Sequence, residues 1–232
     1  MFEINDTLYS ALLMIWSLEG QYIDIIALSL KVSLTALIIS CMISLPLASY
    51  LSIKNFFGKS LIIIILNSFM ALPPVVVGLF LYLLLSWQGV LSSYEILYTP
   101  TAMIIAQTII IIPIVAALSK ESIDIYFNKY RDYLISLKIS NFKIMKTLLW
   151  ESRHTLIVNG LAGLGRAFAE VGAVIIVGGN IAELTRVMTT AIVLETSRGN
   201  FVLAMSLGLT LIFISLILNF SVYYIKKTDE LD

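Results

Sequence analysis

Apolar residues run along this chain in long blocks rather than at helical or strand spacing. Residues 32–53, 61–94, 96–119 and 199–225 contain no charged side chain. A fifth block, 155–181, is interrupted only by Arg166 and Glu170. A helix needs about 20 apolar residues to cross a bilayer, and each block has that length. The pattern predicts an all-α, polytopic membrane protein with five spans, at about 23–53, 61–86, 97–118, 155–181 and 200–225. The second span is expected to end near Ser86, because Trp87-Gln88-Gly89 reads as an interface followed by a turn. Residues 8–18 are apolar but too short to span. They predict an interfacial helix within 1–21, with Tyr9 and Trp16 at headgroup level.

Charge placement tests the count independently. Residues 1–21 hold Glu3, Asp6 and Glu19 and no Lys or Arg, and the next loop holds Lys54 and Lys59. The loop after it holds only Glu95, and the fourth holds Lys120, Lys129, Arg131, Lys138, Lys143, Lys146 and Arg153. Lys226 and Lys227 follow the last span. Basic loops on alternate sides place the N-terminus outside and the C-terminus in the cytoplasm. Composition agrees: 59% of the 232 residues are hydrophobic and 13% charged, against about 25% charged in a soluble domain. Mean hydropathy is +0.96. A net charge of zero gives no sign of a nucleic-acid partner. All five prolines (46, 73, 74, 100, 113) lie in or beside apolar runs, which predicts kinked helices packed against protein.

Residues 119–153 lack Pro and Gly and place Leu134, Leu137, Met145, Leu148 and Leu149 at helical spacing opposite Lys138, Lys143 and Lys146. With Ser140-Asn141 as a break and N-cap, this predicts a cytoplasmic helix-turn-helix that offers a short helix to a partner. A basic loop that merely sets topology is the alternative. Gly165, Ala169 and Ala173 recur every four residues, a spacing that puts small side chains on one helix face and allows close backbone approach. Such a face serves the bundle centre, a dimer interface beside a pathway, or ordinary packing. Arg166 and Glu170, also four apart, are placed to pair. Lying nearer the cytoplasmic end, they are expected to be a structural pair or to snorkel, with a part in an inner gate as the sharper reading. Asp24 and Lys31 share a face near the outer end. Arg186, Thr189 and Thr190 follow the fourth span and offer donors to an oxyanion, or belong to a solvated loop that meets a binding protein.

Other chemistry is missing from the sequence. Gly58-Lys59-Ser60 ends like a phosphate-binding loop, but Ile53 stands where the leading glycine is required. The ATP motor of any pump would therefore be a separate polypeptide. His154 is the only histidine and Cys41 the only cysteine. No metal-ligand spacing and no nucleophile–base pair is found, so neither catalysis nor a cofactor is expected in this chain.

Several stretches resemble the type I permeases of ATP-binding-cassette (ABC) importers. That family's cytoplasmic loop carries a Glu-Ala-Ala…Gly signature, and Asp132-Tyr133-Leu134 followed by Lys138 stands in its place, with lysine at the glycine position. Leu72-Pro73-Pro74-Val75-Val76-Val77-Gly78 resembles a second-span signature of the molybdate and tungstate group. Gly165-Arg166-Ala167-Phe168-Ala169-Glu170-Val171-Gly172-Ala173 and Val177-Gly178-Gly179-Asn180-Ile181 resemble its next-to-last span. Trp150-Glu151-Ser152-Arg153 and the run from Thr185 to Ile192 look most like the tungstate branch. The resemblance implies a permease domain over 22–227 with a short tail at 228–232, in a bacterial or archaeal cytoplasmic membrane. It implies a homodimer with its pathway on the two-fold axis, and an extracytoplasmic binding protein that delivers an oxyanion, tungstate before molybdate. A separate ATPase, holding ATP and magnesium, would grip the segment bearing Asp132, Leu134, Leu137, Lys138, Ser140 and Phe142. An ion-coupled secondary transporter of a small anion is the alternative. It would call for paired halves with broken helices or several intramembrane acids.

Overall fold

The computed structural model describes residues 4–136 and 139–229. Its regular structure is helical: α1 (Ile4–Ser17), α2 (Gly20–Ile53), α3 (Lys59–Met70), α4 (Pro74–Leu85), α5 (Pro100–Ser136), α6 (Asn141–Glu151), α7 (Arg153–Phe168), α8 (Gly172–Gly178), α9 (Met188–Ser197) and α10 (Phe201–Asp229). A single 3-10 turn at Ser92–Tyr94 precedes α5.

The bundle is organised on α2 and α5, which run parallel in a fixed register. Ser40 donates to the Thr108 carbonyl at 3.3 Å, Ser44 to Ile112 at 3.0 Å and Ser52 to Lys120 at 3.3 Å, each pair 68 residues apart. The face of α2 that is buried carries Ser33, Ala36, Ser40, Ser44 and Ala48, while Ile38 and Met42 are exposed. Over 33–48 small and hydroxylic residues face inward and large apolar ones outward. That is the arrangement by which helices approach closely in lipid, where apolar burial drives little. Because α2 and α5 are parallel, the chain between them must return the full length of the bundle.

It returns as two pieces. The sequence predicts one helix over 61–86, but α3 and α4 meet at a bend of 102°. Pro73 and Pro74 cause the break: each removes an amide donor, and the residue before a proline is pushed out of helical geometry. Pro74 then opens α4 at a position where a missing N–H costs nothing.

The predicted helix over 155–181 is likewise divided. α7 runs antiparallel to α5, with Asn159 donating to Ser122 at 3.0 Å and Gln107 to the Ala167 carbonyl at 3.2 Å. After Phe168 the path bends by 60° into α8, which stays against α5 and α4 through Met103, Val77 and Leu81. Among the described residues, α2, α5 and α10 are each long and apolar enough to cross a membrane. The two bent pairs qualify only as composite spans.

The cytoplasmic segment also differs from expectation. No separate first helix exists there, because α5 continues without interruption to Ser136. Its 37 residues extend about 55 Å, well beyond the ~30 Å hydrocarbon core. Nothing in 119–136 breaks a helix. α6 then folds back, packing Ile144 and Leu148 against Ile123, Leu134, Ala48 and Leu156. Ser140 occupies the N-cap position of α6 as predicted, though its side chain makes no capping bond. Lastly, α1 buries Ala11 while Tyr9 and Trp16 stay exposed. It touches α10 where the Ser206 hydroxyl meets Met14 Sδ at 3.4 Å.

Candidate functional site

The break between α7 and α8 is built around Glu170, which is only 3% exposed. One carboxylate oxygen accepts from Arg166 Nη1 at 2.9 Å and the other from the Ala173 amide at 3.0 Å. An amide at the start of α8, left without an intrahelical partner by the break, thus has an acceptor. The Glu170 carbonyl accepts from Thr189 Oγ1 at 2.8 Å. The neighbouring carbonyl of Ala167 is taken by Gln107, so both strands of the break are tied to other helices. The pair predicted from i,i+4 spacing is formed. Ala167 is level with Gln107, midway along the uncharged 96–119 block rather than towards its cytoplasmic end.

The predicted small-residue face is divided by the same break. Gly165 and Ala169 are exposed, whereas Ala173 is fully buried against α4. A Cβ placed on Gly165 would meet nothing within 4 Å. Two faces are present, one open and one packed, because the helix axis turns between them.

Past α8 the chain makes a tight loop. Gly179 adopts φ 70°, and a Cβ there would lie 2.8 Å from the Tyr98 ring. Thr185 Oγ1 donates to the Gly178 carbonyl at 2.5 Å and accepts from the Ile181 amide at 2.9 Å. Thr189 and Thr190, expected as donors to an oxyanion, have their hydroxyls committed to backbone carbonyls of Glu170 and Val187. Arg186 differs. It is 9% exposed, its Nε has no acceptor, and its Nη1 lies 4.0 Å from Glu195. Glu195 is itself buried and already accepts from Arg198 at 3.1 Å and Asn200 at 3.0 Å. Arg186 lines a recess of about 700 Å³ with Gln21, Asp24, Lys31 and Glu183. The two charges predicted to share a face of α2, Asp24 and Lys31, therefore both border this recess.

At the opposite end, Asp132 and Ser140 are exposed and Phe142 is 76% exposed. Leu134 is buried in the core between α5 and α6, so it holds the two helices together rather than facing outward. Leu137 and Lys138 lie outside the described residues. Tyr133 and Trp150, part of the stretches that resemble the family but not named as contact residues, are both about two-thirds exposed. Tyr133 borders a groove of about 220 Å³ with Tyr130, Leu134, Thr147, Leu148 and Glu151. Gln107 and Glu195 were also missed. A lone amide inside an uncharged run was the available signal for Gln107, whereas nothing local marks Glu195 as buried. Among the described residues no group of His, Cys, Asp and Glu is arranged to hold a metal ion.

No protein-family model matches the chain. Three known proteins are similar along most of it. The tungstate uptake system permease protein TupB of Peptoclostridium acidaminophilum is 36% identical over 227 residues, 98% of this chain and 100% of that one. TupB of Campylobacter jejuni is 36% identical over 225 residues, 97% and 94% of the two chains. A probable anion ABC transporter permease protein of Haloferax volcanii is 36% identical over 195 residues, covering 82% and 84%. With its apolar helices and composite spans, the chain is a multi-pass protein of the cytoplasmic membrane, and it belongs to the family of ABC-transporter permease subunits that includes the tungstate uptake permeases.

Proposed function

We propose that this chain is the permease subunit of an ATP-driven importer for tungstate, with molybdate as the next candidate substrate. It crosses the membrane five times, the N-terminus outside and the C-terminus in the cytoplasm, with 22–227 as the permease domain. Support for five crossings comes from direction: α2 and α5 are parallel and α7 is antiparallel to them, so each bent pair carries the chain back across. The chain works as a homodimer around a central pathway. Two ATPase subunits grip the cytoplasmic ends, and an external binding protein delivers the anion. The chain itself catalyses nothing. ATP and magnesium are held by the ATPase.

The continuity of α5 carries the mechanical reading. A helix that runs unbroken from the bundle to Ser136, with α6 folded onto it through Leu134, Ile144 and Leu148, transmits displacement of its cytoplasmic end into the membrane. Closure of the ATPases on Phe142, Asp132, Ser140, Leu137 and Lys138 stabilises one facing of the bundle over the other. Arg166, Glu170 and Thr189 tie the α7 break to its neighbours. Gly165 and Ala169 leave α7 with an open, small-residue face suited to a pathway wall.

Purification of the tagged chain in mild detergent, with vanadate-sensitive ATPase activity measured on the product, tests this. An ATPase subunit recovered at one copy per permease is the expected result. A folded chain that brings none overturns the proposal. Uptake of tungstate and molybdate in competition then decides the substrate.

A further inference from the structure

We infer that the recess beside the start of α2 is a weak receiving site for a tetrahedral oxyanion, with Arg186 and Lys31 as its cationic groups. The inference rests on the importer reading above and adds to it a place where the anion is held before it enters the bundle.

Arg186 carries the argument. A guanidinium presents five N–H donors and stays charged at every physiological pH. Among the described residues its side chain makes no hydrogen bond, and its Nε is buried without an acceptor. The nearest carboxylate, Glu195, is 4.0 Å away and accepts from Arg198 and Asn200 at closer range. Two guanidinium groups therefore share one buried carboxylate, which leaves the donors of Arg186 short of acceptors. A residue nine-tenths buried in that condition is costly without a partner. An anion in the recess supplies one: a tetrahedral oxyanion offers oxygen pairs spaced for the guanidinium fork.

The rest of the wall sets the strength. Lys31 borders the same recess and adds an exposed ammonium. Asp24 and Glu183 also border it, both exposed. These acids bring the charge of the recess near neutrality, so a dianion is held loosely and released fast. That suits a step between delivery and transit, and the hydroxyls of Thr189 and Thr190 are not free to tighten it. Selectivity for an oxyanion over a halide follows from the fork geometry of Arg186, since a spherical ion engages fewer of its donors.

The test uses the full chain in lipid nanodiscs, with a fluorophore on Q21C in a C41S background. Sodium tungstate is titrated against sodium chloride at matched ionic strength. The expected result is a saturable change with tungstate, at roughly millimolar half-saturation, and none with chloride. R186Q should raise the half-saturation at least about tenfold and R186K much less, because hydrogen bonds to charged groups are the strong ones. K31Q should raise it by about threefold through lost Coulomb attraction. Coincident tungstate and chloride curves in the parent overturn the site, as does a tungstate curve that neither R186Q nor K31Q moves. Should R186Q fail to fold, K31Q decides alone, since Lys31 is exposed. Binding needs no ATPase, so the two readings fail separately. A chain that recovers its ATPase but gives no tungstate response loses the recess only, and the reverse outcome loses the importer.

Discussion

Gly78 on α4 lies so close to Ala173 on α8 that a Cβ at Gly78 would stand 2.7 Å from the Ala173 Cα and 3.1 Å from its carbonyl oxygen. The obstacle is backbone, which cannot rotate aside as a side chain does. Each helix is the second half of a bent pair, so this contact joins the two breaks. Gly78→Ala should destabilise the protein by about 1–3 kcal/mol through overpacking. Gly165→Ala, with open space at its Cβ, should leave stability nearly unchanged. Thermal unfolding of the two variants in one detergent checks the contrast.

Glu170 serves Arg166 and the Ala173 amide with separate oxygens. Arg166→Ala should therefore cost more than Glu170→Ala, because it leaves a buried carboxylate held only by the Ala173 amide, whereas Glu170→Ala strands that amide and a partly solvated cation. Arg166 is about a third exposed, so water partly replaces its partner when Glu170 is lost. Glu170→Gln keeps an acceptor for Ala173 and should cost least. A double-mutant cycle should give a coupling of about 0.5–3 kcal/mol. Additive losses in stability and transport would separate the two residues.

Gln107 is buried, and its amide donates to the carbonyl just before the α7–α8 break. Gln107→Ala removes that bond, while the carbonyl still accepts from the Glu170 amide at 3.2 Å, and should cost about 0.5–1.5 kcal/mol. Hydrogen exchange should show the loss concentrated at 167–173 rather than spread over α5.

The cytoplasmic end calls for two kinds of variant. Phe142→Ala and Tyr133→Ala alter exposed side chains and should leave the fold intact while reducing recovery of the ATPase several-fold. Leu134→Asp places a carboxylate in the core shared by α5 and α6 and should prevent folding outright. Loss of the ATPase in that variant would therefore say nothing about docking. A melting profile taken beside each pull-down distinguishes the cases.

The class of fold, the extent of the apolar blocks and the i,i+4 pair of Arg166 and Glu170 were legible in the sequence. Block length and helical spacing are local properties, and the bilayer makes few structures compatible with them. What escaped was set by contacts between distant segments. The 61–86 block reads as one helix by hydropathy, and Pro73-Pro74 marks a kink without giving its 102° size. Four-residue spacing puts Ala173 on one face with Gly165 only along a straight axis, and the axis bends between them. Burial of Glu195, and the commitment of the Thr189 hydroxyl to Glu170, depend on which loop folds over which helix. Leu134 was read by its period as a docking residue, yet the same period serves an inward face equally well.

The three serine bonds between α2 and α5 span 68 residues each, and this has a consequence for biogenesis. At about 5–20 residues per second, the ribosome needs roughly three to fourteen seconds to make α5 after α2 has entered the bilayer. During that wait the inward face of α2 carries hydroxyls in lipid with no interhelical acceptor. Ser29 and Ser49 are shielded throughout by bonds to carbonyls one turn back. Ser40, Ser44 and Ser52 must find temporary acceptors on their own helix or on the insertion machinery. Delivery of α5 releases them, so the register of the finished bundle is set when the third apolar block arrives and not before.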